Sequence, residues 1–238
     1  MKSKIILSTT IVAIALTATF FYSCDNGAKV KENPPEKINT TVSNETIPAD
    51  EMNGWSDASK MTVMDMKKKY GEPAEKTATM MVWNNTGQWK RTIIYAKEFK
   101  HDFPMAHTDV MEQWIDYNVP PEKVTELAHY DGSVVCNRTG GEISARCDKE
   151  GANFLAINLA HDIITGTKNV KSARDFYATT IKEMINGGKP AYMQKLQFDV
   201  VKGNTTYTDK PSSIITQSDM MKAKKMNEMM KKEMLDKE

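Results

Sequence analysis

From Ile5 to Tyr22 the chain is mostly apolar, interrupted by Ser8, Thr9, Thr10, Thr17 and Thr19, behind a basic start at Lys2 and Lys4. From 25 to 55 it is polar, with hardly a large apolar side chain, and only then does a periodic pattern begin. That order predicts a leader, a spacer and a folded part. In the folded part, "KMTVMDMKKKYGEP" places Met61, Met64 and Lys68 on one face of a helix and the lysine run on another. Gly71 and Pro73 stop it. Residues 77–83 are β-prone, "NNTG" reverses the chain, and "WKRTIIY" returns as a second strand.

"HDFPMAH" then reads as a loop, with Phe103 and Met105 plugging the core and both histidines solvated. Thr108 is expected to cap a helix that carries Val110, Met111, Trp114 and Ile115 at the spacing of a buried stripe. Pro120-Pro121 opens another helix with Val124, Leu127 and Ala128 facing inward, and Asp131-Gly132 ends it. "SVVCNRTGGEISARC" reads as a hairpin. The most apolar helix of the chain follows, Lys149 to Thr165, with Asp148 as its expected cap. Lys171 to Ile185 is a further helix, "MQKLQFDVV" a last strand, and the tail from Ser218 a capped amphipathic helix. Strands and helices alternate without βαβ order. The class is therefore α+β: antiparallel hairpins packed with several short helices, plus the C-terminal helix.

Cys24 decides how the leader is read. Ser23-Cys24 after a basic and apolar run resembles the lipoprotein signal of bacteria, which implies a lipid on Cys24 and a mature chain that starts there. The expected organisation is a signal peptide at 1–23, a tether at 24–55, a globular part at 56–212 and a Met-rich helix at 213–238. The globular part is either one core or two sub-cores, 56–100 and 101–212. The tether, rich in Asn, Thr, Glu, Lys and Pro, cannot bury enough apolar area to offset its ordering entropy. The location implied is the bacterial cell envelope, membrane-anchored and facing the periplasm or the exterior.

Met61-Thr62, Gly71-Glu72-Pro73 and Trp83 are similar to the opening of small outer-membrane lipoproteins of the SmpA/OmlA type and their β-lactamase-inhibitor-like relatives. Lys60 stands where that type has Gly, and the helix is about one residue longer. The resemblance covers residues 61–95 and implies a non-catalytic assembly role with an envelope partner. From Trp83 to Gly187 the chain also resembles an uncharacterised type of lipoprotein, from which no activity carries over.

Charge narrows the partners. With 32 Lys and Arg against 31 Asp and Glu, the formal charge of +1 becomes −1 once Lys2 and Lys4 leave with the leader. A chain so balanced, without a basic patch, argues against nucleic acid. No nucleophile elbow, phosphate-cradling glycine pattern, HExxH or CxxC occurs, so catalysis is not the favoured expectation. Three groups remain that carry chemistry. His101, Met105 and His107 form a candidate metal set for copper. Asn153, Arg146 and Asp148, together with His161 beside Asp162, form a candidate pocket. Met226, Met229, Met230 and Met234 lie in one arc of the tail, as a docking stripe or as copper ligands.

The other two cysteines, Cys136 and Cys147, sit in one hairpin with both sulfurs on its inner face, and a disulfide between them is the expectation for an exported chain. Register decides whether they meet. A turn centred on Gly140-Gly141 leaves them diagonal, whereas one centred on Gly141-Glu142 sets them opposite.

Overall fold

The structure, a computed structural model, describes residues 51–236. The leader, Cys24 and most of the tether lie outside the described residues. Helix α1 (Asp57–Tyr70) comes first, capped by Ser56, whose side chain accepts from the Ser59 amide. A short strand β1 (Glu75–Lys76) leads into β2 (Met80–Thr86) and β3 (Trp89–His101), and β3 turns back as β4 (His107–Asp116). Helix α2 (Val124–Tyr130) precedes the hairpin β5 (Val134–Asn137) and β6 (Glu142–Cys147). Helices α3 (Glu150–Ile164), α4 (Val170–Ile185) and α5 (Gln217–Leu235) complete the order. The strands form one antiparallel sheet, β1-β2-β3-β4-β6-β5, so the α+β class holds.

Register fixes which side chains share a face. Met81, Ile94, Met111 and Cys147 form one row, and Trp83, Thr92, Gln113, Ala145 and Val134 form the next. Two apolar clusters lie along this face. Val63 and Met66 of α1 pack with Met81, Trp83, Ile94 and Met111. Leu155, Leu159 and Ile163 of α3 pack with Ile115, Val134, Ile143 and Ala145. The α1 face that is buried is Ser59, Thr62, Val63 and Met66, while Met61 and Met64 are exposed. The opposite sheet face carries Arg91, Glu112, Trp114 and Arg146, laced by Arg91 over Trp114 and by Ser144 and Tyr95 donating to Glu112.

Several expectations are corrected. Residues 107–116 form a strand, not a helix capped by Thr108. As an inner strand β4 is buried on both faces from Asp109 to Gln113, and such continuous burial contains the helical spacing by accident. Residues 193–201 are not a strand. Leu196, Phe198 and Val200 do pack on the core in alternation, but the Leu196 and Gln197 amides donate to the Gln88 and Asn158 side chains, not to a neighbouring ladder. Lys149, not Asp148, is the α3 N-cap residue, and it caps with no side-chain bond. Thr216, not Ser218, caps α5, in a capping box with Asp219. Ala128 is exposed, and Tyr130 takes the inward place beside Leu127.

Cys136 and Cys147 are free thiols. Neither expected turn forms: Cys136 pairs with Ile143 and Asn137 with Glu142, so the turn is centred on Thr139-Gly140, one residue before the first expected turn and two before the second. The Asn137 side chain accepts from the Gly140 amide, and Gly141 has φ 66°. Four loop residues closed by a left-handed glycine account for this register. Cys147 then lies four residues beyond the partner of Cys136, about 13 Å along the strand, out of reach of a bridge.

Candidate functional site

The tip of the β3–β4 hairpin carries His101 and His107, which are register partners. Asp109 lies two residues further along β4, on the same side of the strand as His107. Three junctions meet here: the hairpin tip, the α2–β5 connection with Asp131 and Ser133, and the end of β6 with Cys147.

Asp109 is the centre. It is 1% exposed, and both imidazoles converge on its carboxylate, His107 Nε2 at 3.1 Å from Oδ1 and His101 Nδ1 at 3.5 Å from Oδ2. Ser133 Oγ donates to Oδ2. Oδ1 is buried and meets His107 as an ion pair, but no donor reaches it with good hydrogen-bond geometry. The outward nitrogens are held as well. His107 Nδ1 lies 2.8 Å from the Met105 carbonyl, so it carries a proton, and Nε2 faces inward to Asp109. His101 Nε2 lies 3.4 Å from Asp131 Oδ1, which also accepts from the Ser133 amide. Cys147 Sγ sits 3.6 Å from His107 Nε2.

The electrostatics follow from that packing. The bond to Asp109, then Cys147, pushes His107 up to about 11 against its desolvation. His101 is raised, first by Asp109 and then by Asp131, also against desolvation. Burial works against the charge of Asp109, but the bonds from His101, His107 and Ser133 outweigh it and hold the carboxyl down at about 2. Burial raises Asp131 and Cys147. The cluster is therefore cation, anion and cation in one small volume, with protons where a metal ion could sit. His101, His107 and Asp109 offer one ligand atom each within 4.8 Å of one another.

Of the residues singled out in the sequence, His101 and His107 come together, but Met105 does not join them. Its side chain is 57% exposed, and only its carbonyl contributes. Phe103 is half-buried, between Tyr177 and the Arg174 guanidinium. Asp109 takes the place expected of Met105; reading 107–109 as a strand would have paired it with His107. Arg146 reaches the rim, with Nε 3.9 Å from Asp109 Oδ2 and Nη1 3.7 Å from Glu112.

The expected pocket does not form. Asn153 is wholly buried on the inner sheet face, where it donates to the Met111 carbonyl and to Gln113, whereas Arg146 belongs to the other face. Asp148 accepts from Cys147 and Lys149. His161 and Asp162 have separate structural partners. His161 stacks on Phe198 and shares a 2.8 Å hydrogen bond with the Tyr117 hydroxyl, while Asp162 binds Lys168 and Tyr192.

Helix α5 is the second candidate. It buries no residue, and Met220, Met221, Met226, Met229, Met230 and Met234 are 48% to 72% exposed. Among the described residues no helix is long and apolar enough to cross a membrane. Compared with known proteins, the chain matches no family model, no curated protein and no solved structure.

Proposed function

We propose that this chain is a lipid-anchored extracytoplasmic protein of the bacterial envelope that acts by binding, with α5 as the arm that engages another envelope protein. The observation that supports this most is the free methionine face. A 19-residue helix with a capping box, and no residue buried against its own domain, displays apolar side chains that a soluble chain ordinarily covers. Methionine is flexible and polarisable, so such a face adapts to an apolar groove, and Met226, Met230 and Met234 have the i, i+4 spacing of helix-in-groove recognition. Lys and Glu on the remaining arc favour a protein groove with a charged rim.

A photo-crosslinker placed at Met230 of the full chain in intact cells is expected to give one discrete adduct, identified by mass as an envelope protein. Met226→Lys with Met230→Lys should lower that adduct at least about tenfold, since each buried methionine contributes about 1.5–3 kcal/mol. Adducts only between copies of this chain, or none, would overturn the reading. The anchor has its own test. The leader's resemblance to a lipoprotein signal supports acylation of Cys24, so Cys24→Ser should leave the protein unacylated and no longer retained at the membrane. A variant that still carries lipid would refute the anchor.

Metal handling is the alternative. It is favoured by the His101–His107–Asp109 cluster and does not depend on α5.

A further inference from the structure

We propose that His101 Nδ1, His107 Nε2, the Asp109 carboxylate and Cys147 Sγ form a binding site for one borderline divalent cation of the zinc class. Four observations carry it, independently of the docking role of α5.

The first is spacing. In a tetrahedral zinc site with bonds of about 2.0–2.1 Å to nitrogen and oxygen and about 2.3 Å to sulfur, neighbouring ligand atoms stand about 3.3 Å apart, or about 3.6 Å where one is sulfur. Here His107 Nε2 and Asp109 Oδ1 are 3.1 Å apart and His101 Nδ1 and Asp109 Oδ2 3.5 Å, and the three residues keep a ligand atom each within 4.8 Å of one another, so an ion draws them slightly together. Cys147 lies outside that trio and reaches it through His107, its Sγ 3.6 Å from Nε2. The second is Oδ1 of a carboxylate that is 1% exposed: it is turned into the cluster, where its one close neighbour, His107 Nε2, lies outside hydrogen-bond geometry. Buried polar atoms ordinarily have partners, and one left without invites a ligand.

The third is the outer shell. Metal-bound histidines nearly always give their second nitrogen to a carboxylate or a backbone carbonyl, which fixes ring and tautomer. His107 Nδ1 has the Met105 carbonyl, and His101 Nε2 has Asp131. The fourth is access. The two histidine side chains are 16% and 20% exposed, so an ion reaches the buried carboxylate between them.

The donor set selects the class of ion. Two imidazoles, one carboxylate and one thiol match neither calcium nor magnesium, which take oxygen ligands, but suit zinc and cobalt. Arg146 opposes a cation at the rim, and the carboxylates of Asp131 and Asp148 offset it.

Cobalt(II) titration of the detergent-solubilised full chain tests the site. One equivalent should bind, with the visible absorption of tetrahedral cobalt and a sulfur-to-cobalt band in the near ultraviolet, both removed by zinc. Cys147→Ser should abolish the near-ultraviolet band alone. His107→Gln and His101→Gln should weaken affinity by more than about 100-fold and Asp131→Asn by about 10-fold or more, whereas the exposed His129→Gln should change nothing. Zinc should also raise the melting temperature of the wild type, a readout that needs no variant to fold. The site is refuted if folded wild type shows no saturable cobalt band and no zinc shift. It is refuted equally if the bands survive His107→Gln, or if the sulfur band survives Cys147→Ser.

Discussion

Trp89→Ala is expected to lower the unfolding free energy by about 3–5 kcal/mol, the range for truncating a buried aromatic side chain. Trp89 is 2% exposed and stacks on Phe154 with ring centroids 4.6 Å apart, which ties the start of β3 to α3. Its indole nitrogen donates at 2.8 Å to Glu150 Oε1, and that oxygen also accepts from the Tyr70 hydroxyl of α1. One side chain thus joins sheet, α1 and α3. Truncation leaves a cavity and removes one of the donors that hold Glu150. Urea unfolding should show a lower midpoint with an unchanged slope. A loss below about 1 kcal/mol would mean that Trp89 does not pack as described.

Asp109→Ala should cost about 3 kcal/mol at pH 5, because it leaves two half-buried cations without their buried anion. The two histidine side chains are partly exposed, which keeps the cost at the low end of the range for broken buried pairs. The pH dependence has a definite sign. His107 is raised from 6.5 to about 11, so its contribution is full below about pH 6.5 and is lost as pH rises toward 11. Asp109 is lowered from 3.8 to about 2, so its contribution is present above about pH 3.8 and is lost as pH falls toward 2. The wild-type cluster therefore contributes most between about pH 4 and 6.5. In Asp109→Ala the imidazoles gain stability by shedding their protons, so the gap to wild type narrows from pH 5 to pH 8. Unfolding in the presence of a chelator measures both; an equal gap at the two values would show that the pair is not ionised.

What could be read from residues alone was local. Gly71 and Pro73 end α1 where the pattern predicts, since a stop acts through the backbone of a few neighbours. The long apolar run of α3 was equally legible, and α4 begins one residue before its expected start. The misreadings arise where tertiary context decides. Val110, Met111, Trp114 and Ile115 fit a helix stripe and an inner strand alike, and only the presence of β3 and β6 on either side settles it. That one misassignment hid Asp109, because its relation to His107 exists only at strand period. Asp131, Ser133 and Cys147 reach the cluster from sequence distances no local pattern spans. The cysteine register turned on a single Asn137 side chain in the loop, a contact invisible to alternation.

The chain after α4 is pinned at one point that bears on where the methionine arm can go. Thr205 Oγ1 donates to the Gly141 carbonyl, the Tyr207 amide donates to the Arg138 carbonyl, and Arg138 pairs with Asp209. A Cβ on Gly141 would come within 2.6 Å of Thr205, so the strap needs glycine there. Between Asp209 and the cap Thr216 only residues 210–215 intervene, a leash of at most about 25 Å when fully extended. The helix adds about 28 Å at 1.5 Å per residue. Everything α5 touches must then lie within about 55 Å of the β5–β6 turn. Such confinement turns capture of a partner already seated near that turn into an intramolecular search, and loosening the strap would dilute the arm without altering a single methionine.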